Sequence, residues 1–329
     1  MRAIVISEPG DPEVLRWTDV AAPTPGAGEV LIDVAATAVN RADLLQRQGN
    51  YPPPPGASDI LGLECSGTIA ALGAGVTSRA VGDRVTALLA GGGYAEQVAV
   101  PVGQLMSVPS TVSLHDAAAL PEVACTVWSN LVMTAGLAQG QWLLIHGGGS
   151  GIGTMAIQVA KALGARIAVT AGSAEKLEAC GALGAELLIN YRIEDFVEVM
   201  AEATAGRGVD VILDNMGAAY LERNISALAT NGRLAIIGLQ GGIKAEVNLG
   251  AMLRKNATVY ARSLRGRPLA EKAAICLEVE RSIWPWIDGG LIAPVIGARL
   301  PMSDAADAHR LLESGAVTGK ILLTTSSPE

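Results

Sequence analysis

The stretch Gln141–Gly153, reading Q-W-L-L-I-H-G-G-G-S-G-I-G, constrains this chain more than any other. Trp142–Ile145 is short and almost wholly apolar, the pattern of a strand buried on both faces. Glycines stop it abruptly. Behind them Ile152, Met155, Ala156, Val159, Ala160 and Leu163 recur at helical spacing, which predicts a helix beginning near Gly151. A strand, a glycine turn and a helix in that order aim the helix's unpaired N–H groups at one point, a geometry that binds phosphate or pyrophosphate. Gly148, Gly151 and Gly153 make a G-x-x-G-x-G variant of the usual spacing, with Ser150 and Ile152 completing the turn. Any tight strand-to-helix turn wants a glycine, so this turn alone also fits a chain that binds no nucleotide.

The continuation narrows the choice. A second buried strand, Arg166–Thr170, runs into Ala171-Gly172-Ser173-Ala174-Glu175-Lys176, where a dinucleotide fold fixes its adenosine ribose. An NAD site usually places Asp or Glu there to accept from the ribose hydroxyls. Here Gly172, Ser173 and Lys176 offer a small residue, a hydroxyl and a cation, which suit a doubly charged 2′-phosphate that an acid would repel. The plainer reading makes Ser173 a helix cap and Lys176 a solvated charge, and Glu175 nearby counts mildly against a phosphate.

At 329 residues the chain has room for two full-sized cores. A net charge of −8, spread along the chain, argues against a nucleic-acid partner or an anionic membrane surface. No apolar run reaches transmembrane length, and Ala3–Ile6 is too short for a signal peptide. Cys65, Cys125, Cys180 and Cys276 are scattered without C-x-x-C pairs, as buried thiols in a reducing compartment would be, so a cytoplasmic location is expected.

Residues 1–120 read as β-rich. Short apolar runs (Arg2–Ile6, Glu29–Ala36, Gly67–Leu72, Asp83–Ala87, Ala95–Val100) are punctuated by Pro and Gly, with one helix over Arg41–Gln48. From Val123 the texture changes. Strands Trp142–Ile145, Arg166–Thr170, Leu187–Ile189, Val209–Asp214, Arg233–Ile237 and Thr258–Leu264 alternate with helices, which predicts a doubly wound parallel sheet. The tail reads as a long helix over Leu269–Asp288, strand Val295–Leu300, helix Ser303–Ser314 and strand Lys320–Thr324. The division expected is 1–122 with 266–329 in one domain and 123–265 in the other.

Six dispersed motifs carry a resemblance to a known family. They are Asn40-Arg41-Ala42-Asp43, Gln46-Arg47-Gln48-Gly49-Asn50-Tyr51, Leu61-Gly62-Leu63-Glu64, Val81-Gly82-Asp83-Arg84-Val85, the turn at His146–Gly153, and Thr318-Gly319-Lys320-Ile321. Together they resemble the zinc-free quinone oxidoreductase branch of the medium-chain dehydrogenase/reductase superfamily. The resemblance implies a GroES-like β-rich catalytic domain, a Rossmann domain for NADPH, and an active site in the cleft between them. Zinc members use a cysteine where this chain has Asn40 and Gly-His-Glu where it has Gly62-Leu63-Glu64, so no metal is expected. His115, His146 and His309 lie far apart, and His146 reads as a packed or hydrogen-bonded strand end.

By the same resemblance, Asn40 and Tyr51 are the groups that would polarise a substrate carbonyl. Asn40 also fits a helix N-cap, and Tyr51, beside four prolines, fits either a mobile lid or a loop aromatic. Gln46 stands where some quinone reductases carry a tyrosine and is expected at the substrate. Thr126, early in a helix Val123–Thr134, is expected near the nicotinamide, as are Ser263 and Leu264 at the end of the sixth strand. Tyr191 is expected at the adenine ribose and phosphate, and Asn215, Gly238 and Leu239 at the strand ends where ligands of open sheets collect. The sixth strand would be an exposed sheet edge that pairs with its copy in a homodimer. The activity implied is NADPH-dependent reduction of a quinone, by hydride or single-electron transfer. The alternatives are an enoyl-thioester reductase of the same superfamily, or a non-catalytic NADPH-sensing or RNA-binding relative.

Overall fold

The computed structural model describes residues 1–325. The backbone divides into two compact units: Met1–Cys125 together with the chain from Leu264 onward, and Thr126–Ser263. The junctions expected from sequence were 122/123 and 265/266.

In the second unit six strands form one all-parallel sheet. Its order is Leu187–Asn190, Arg166–Ala171, Trp142–His146, Val209–Asp214, Leu228–Ile236 and Thr258–Ala261. Numbered along the chain that is 3-2-1-4-5-6, the doubly wound order of a Rossmann domain. Every residue of Trp142–His146 is buried, as a central strand covered on both faces requires. Helix Gly151–Ala162 begins where its spacing predicts, but it buries more than a stripe. Thr154, Ile157 and Gln158 are covered along with Met155, Ala156, Val159 and Ala160. One core of this unit gathers Trp142, Leu144, Ile189, Phe196, Met200 and Leu234. Each such leucine, isoleucine, phenylalanine or methionine side chain removed from water contributes roughly 1.5–3 kcal/mol.

Three elements here differ from expectation. Strand Leu228–Ile236 is longer because Thr230-Asn231-Gly232, which looks like a turn, is absorbed as an irregularity with Asn231 at φ 63°. Thr258–Ala261 does form the edge, but it stops at Ala261 and so excludes Ser263 and Leu264. The helix expected over Val123–Thr134 starts two residues earlier, on Pro121, whose missing N–H costs nothing in a first turn. It runs as an α-helix to Val127 and continues as π-helix over Trp128–Thr134. Thr126 is therefore not an early-helix residue; it precedes the widened turns.

In the first unit a seven-stranded sheet runs Ile296–Pro301, Lys320–Thr324, Glu29–Ala38, Glu64–Leu72, Arg84–Leu88 and Leu105–Ser107, with Gln97–Pro101 also paired to Glu29–Ala38. A separate antiparallel pair joins Arg2–Ile6 to Leu15–Asp19. Leu15–Asp19 and Leu105–Ser107 were not foreseen, being short and weakly alternating. The long tail helix is two, Leu269–Ser282 and Trp284–Asp288, because Pro285 supplies no N–H for a continuous ladder and sits instead in a new first turn.

Candidate functional site

The glycine turn is built from the strand outward. Gly147 leaves Trp142–His146 at φ +73°, a conformation that L side chains rarely adopt. The Gly147 and Gly148 N–H groups both donate to the Thr170 carbonyl, at 3.1 and 3.0 Å, tying the turn to the neighbouring strand. A Cβ on Gly148 would lie 2.8 Å from Val169 Cβ and 2.9 Å from Cys180 Sγ, so only glycine lets the turn approach that strand. Gly153 is needed for the same reason against the Gly147 and Gly148 carbonyls. Ser150 caps the helix. Its Oγ accepts from Gly153 N–H at 3.0 Å and donates to the Gly147 carbonyl at 2.8 Å. Gly151 and Ile152 form the first turn, both half-buried.

The second strand end brings a polar cluster toward this turn. Ser173 does cap helix Ala174–Leu183, accepting from Lys176 N–H at 3.4 Å. The Lys176 stem lies along Gly149, where an added Cβ would be 3.1 Å from Lys176 Cδ. The Tyr191 phenol stands over Gly172, and Arg192 Nε would be 3.3 Å from a Cβ placed there. Gly172, Ser173, Lys176 and Tyr191 are thus assembled, and Arg192 joins them. Sequence reasoning passed over Arg192. Its position directly after Tyr191 was the available signal.

At the neighbouring strand ends, Asn215 Nδ2 would be 2.7 Å from a Cβ on Gly147, and a Cβ on Gly238 would be 2.8 Å from the Asn215 carbonyl. Asn215 thus bridges the two glycines, while Leu239 is exposed. Asp214 is buried and accepts from Met216 and Gly217 N–H at 2.7 and 3.0 Å. Burial lifts its carboxyl to about 6 against those two bonds. His146 holds Thr170 Oγ1 at 3.1 Å and Asn224 Oδ1 at 2.8 Å and packs edge-on against Phe196 and Tyr220. Burial lowers it to about 4, so it is a neutral structural imidazole. The Thr126 carbonyl accepts from Asn130 Nδ2 at 2.9 Å where the helix widens. Ser263 and Leu264 lie in the irregular segment after Ala261 rather than at a strand end.

The first unit assembles a second constellation. Asn40 precedes helix Arg41–Arg47, and its N–H donates to Asp43 Oδ2 at 2.7 Å, closing the first turn. Its side chain, expected to face a substrate carbonyl, is turned inward. Nδ2 donates to the Ala38 carbonyl at 3.2 Å and to Glu64 Oε1 at 2.8 Å, which uses both amide hydrogens. Asn40 Oδ1 accepts from Lys320 Nζ at 2.7 Å. Gln46 is likewise committed. Its Oε1 accepts from Arg265 Nη2 at 2.7 Å and its Nε2 donates to the Asp59 carbonyl at 2.9 Å, so its amide holds the fold instead of facing a substrate. Half-buried Tyr51 carries the Arg265 guanidinium 5.2 Å from its ring centroid, and its carbonyl accepts from Arg265 Nη1 at 3.4 Å. Arg265 and Lys320 were both missed. Arg265 is remote in sequence from the loop it ties, and Lys320 stood in a motif read only for its family.

Beneath Asn40, Asp43 accepts from Gly62 N–H at 3.1 Å and Tyr94 Oη at 3.3 Å. Tyr94 Oη meets His309 Nε2 at 3.2 Å, and Arg47 Nη1 meets His309 Nδ1 at 3.3 Å. Because a guanidinium can only donate, Nδ1 accepts, Nε2–H donates to the phenol, and the phenol donates to Asp43. Burial raises Asp43 to about 6 and depresses His309 to about 3.

A Rossmann sheet with a capped glycine turn, in one chain with a β-rich unit of this topology, defines a two-domain dinucleotide-type oxidoreductase. The chain belongs to the medium-chain dehydrogenase/reductase superfamily, in its quinone oxidoreductase branch. Residues 26–110 match the family described as "Alcohol dehydrogenase GroES-like domain", and residues 151–277 the one described as "Zinc-binding dehydrogenase". Quinone oxidoreductase 1 of Escherichia coli is 33% identical over 95% of this chain and 96% of its own length. The crystal structure of an Escherichia coli quinone oxidoreductase complexed with NADPH superposes with a TM-score of 0.90 at 32% identity, covering 98% of this chain and 100% of that one. A phenolphthiocerol/phthiocerol polyketide synthase subunit of Mycobacterium tuberculosis is also 33% identical over 97% of this chain, which spans only 14% of that much longer protein.

Proposed function

We propose that this protein is an NADPH-dependent reductase of quinones or comparably electron-poor small molecules. The observation that carries the cofactor choice is the end of strand Arg166–Ala171, where Gly172 and Ser173 replace an acid, Arg192 lies beside Gly172 and the Lys176 stem runs along Gly149. Two cations and a hydroxyl match a 2′-phosphate dianion. Bound NADPH supplies a hydride which, with one proton from solvent, turns a quinone into a hydroquinone and leaves NADP⁺. The chain's own part is binding and orientation. The Ser150-capped helix start receives the pyrophosphate, Asn215 and Gly238 line the strand ends, and Tyr51 is the side chain assigned to the acceptor's oxygen. A quinone is electrophilic enough to accept hydride without a Lewis acid, which suits a site whose amide donors are already committed.

An enoyl-thioester reductase is the second reading, supported by the match to the polyketide synthase segment. Absorbance at 340 nm with an ortho-quinone, a para-quinone and crotonyl-CoA separates the two: quinone turnover is expected, and turnover of crotonyl-CoA alone would move the assignment. Among the described residues no helix is long and apolar enough to cross a membrane. Four buried free cysteines fit a reducing, cytoplasmic setting. We also propose a homodimer through edge strand Thr258–Ala261, supported by Leu249 and Leu253, which lie exposed on one face of helix Leu249–Lys255.

A further inference from the structure

The description "Zinc-binding dehydrogenase" raises a question that the donor set at Asn40 and Glu64 answers. Lys320 Nζ stands 2.7 Å from Glu64 Oε1, 2.7 Å from Asn40 Oδ1 and 3.4 Å from the Val39 carbonyl. Its three hydrogens are therefore matched to three oxygens. Glu64 is wholly buried, and its other oxygen accepts from Glu122 N–H at 2.8 Å. An amide oxygen, a carboxylate and a backbone carbonyl are oxygen ligands a cation could use, but an ammonium already fills the space among them. An ammonium has no lone pair to lend and repels a divalent ion. No group of three or more His, Cys, Asp or Glu suited to a metal occurs among the described residues. The residues present do not fit a zinc ion.

We propose that the Lys320 ammonium is the resident cation of this unit, doing with three hydrogen bonds the organising work that a metal would do with three ligands. It neutralises Glu64, fixes which way the Asn40 amide faces, and through Asn40 sets the start of helix Arg41–Arg47, whose far end leads to Tyr51. Lys320 is a positioning residue: it acts through Asn40 and Glu64. Because that cation is fully coordinated by the protein, it offers no open position to an alcohol or aldehyde oxygen. The inference narrows the acceptor, within the function proposed above, to molecules electrophilic without metal assistance.

The test compares wild type with Lys320→Met, Glu64→Gln and the double variant by thermal denaturation, zinc titration and NADPH-dependent quinone turnover. Each single variant is expected to lower Tm by about 5 °C or more, since either leaves a buried charge unpaired, and the double variant to recover most of that loss. Wild type is expected to bind no stoichiometric zinc. Turnover by the double variant is expected to stay at least tenfold below wild type in kcat, with KM for NADPH unchanged. Recovery of kcat along with Tm would reduce the cluster to a stabilising pair and overturn the positioning role. Stoichiometric zinc binding to wild type, or unaltered Tm in both single variants, would overturn the resident-cation assignment. The Tm and zinc measurements need no turnover, so an inactive wild type would defeat the quinone reading without touching this one.

Discussion

Lys176 and Ser173 show how much a few side chains are asked to decide. Charge-assisted bonds to a phosphate are worth about 1.5–3 kcal/mol each. Lys176→Ala is therefore expected to raise the dissociation constant for NADPH by roughly 10–100-fold while leaving NADH nearly unchanged, as read by fluorescence titration. An equal loss for both cofactors would mean that Lys176 merely props up the Gly149 turn it lies along. Gly148→Ala probes that turn itself. With Val169 and Cys180 under 3 Å from the new methyl, we expect a loss of about 1–3 kcal/mol in chemical denaturation together with weakened cofactor binding. The placement of Gly148 and Ser150 in the turn, and of Ser173 and Lys176 at the next helix start, was legible because their neighbours along the chain carry the geometry. The hydrogen bonding of Asn40 and Gln46 was not legible, because what each amide oxygen accepts from is settled by residues more than 200 positions away, Lys320 and Arg265.

At the scale of elements, the helix Arg41–Arg47 is held at one end by the Asn40–Glu64–Lys320 cluster and near the other by Arg265 on Gln46. Arg265→Met is expected to free the Tyr51 loop and raise KM for the acceptor several-fold with KM for NADPH unchanged in steady-state kinetics. The buried acids and imidazoles under these elements act against each other with pH. His309 and His146 stay neutral in the fold, so stability is lost as pH falls below 6.5 and only the unfolded chain takes the proton. Asp43 and Asp214 titrate at about 6 when folded, above their unfolded range, so the fold gains stability as pH falls from 6 to about 4. The two trends offset one another over that window. Asp43→Asn removes part of the compensation, and its stability is expected to drop by about 2 kcal/mol from pH 6 to 4 relative to wild type in parallel urea titrations. A constant difference between the two proteins would contradict that balance. The alternation of strands and helices in 123–265 was legible because the central parallel strands, such as Trp142–His146 and Val209–Asp214, are short, mostly buried apolar runs. Leu15–Asp19 and Leu105–Ser107 were not, because strands this short, with charged or polar residues breaking the alternation, leave little local pattern.

For the whole molecule, assembly and cofactor choice are the properties that matter most. Leu249 and Leu253 are largely exposed, so Leu249→Lys with Leu253→Lys should cost the monomer little while shifting the mass in analytical ultracentrifugation from two chains to one. An unchanged sedimentation profile would place the dimer contact elsewhere or remove it. The central claim is the pairing of a 2′-phosphate site with a self-activated acceptor, and one ratio tests it most directly. That ratio is kcat/KM for NADPH over NADH with a para-quinone, at fixed pH and without added metal. We expect it to exceed tenfold, on the strength of Ser173, Lys176 and Arg192. A ratio near or below one would contradict the account, as would no oxidation of either cofactor.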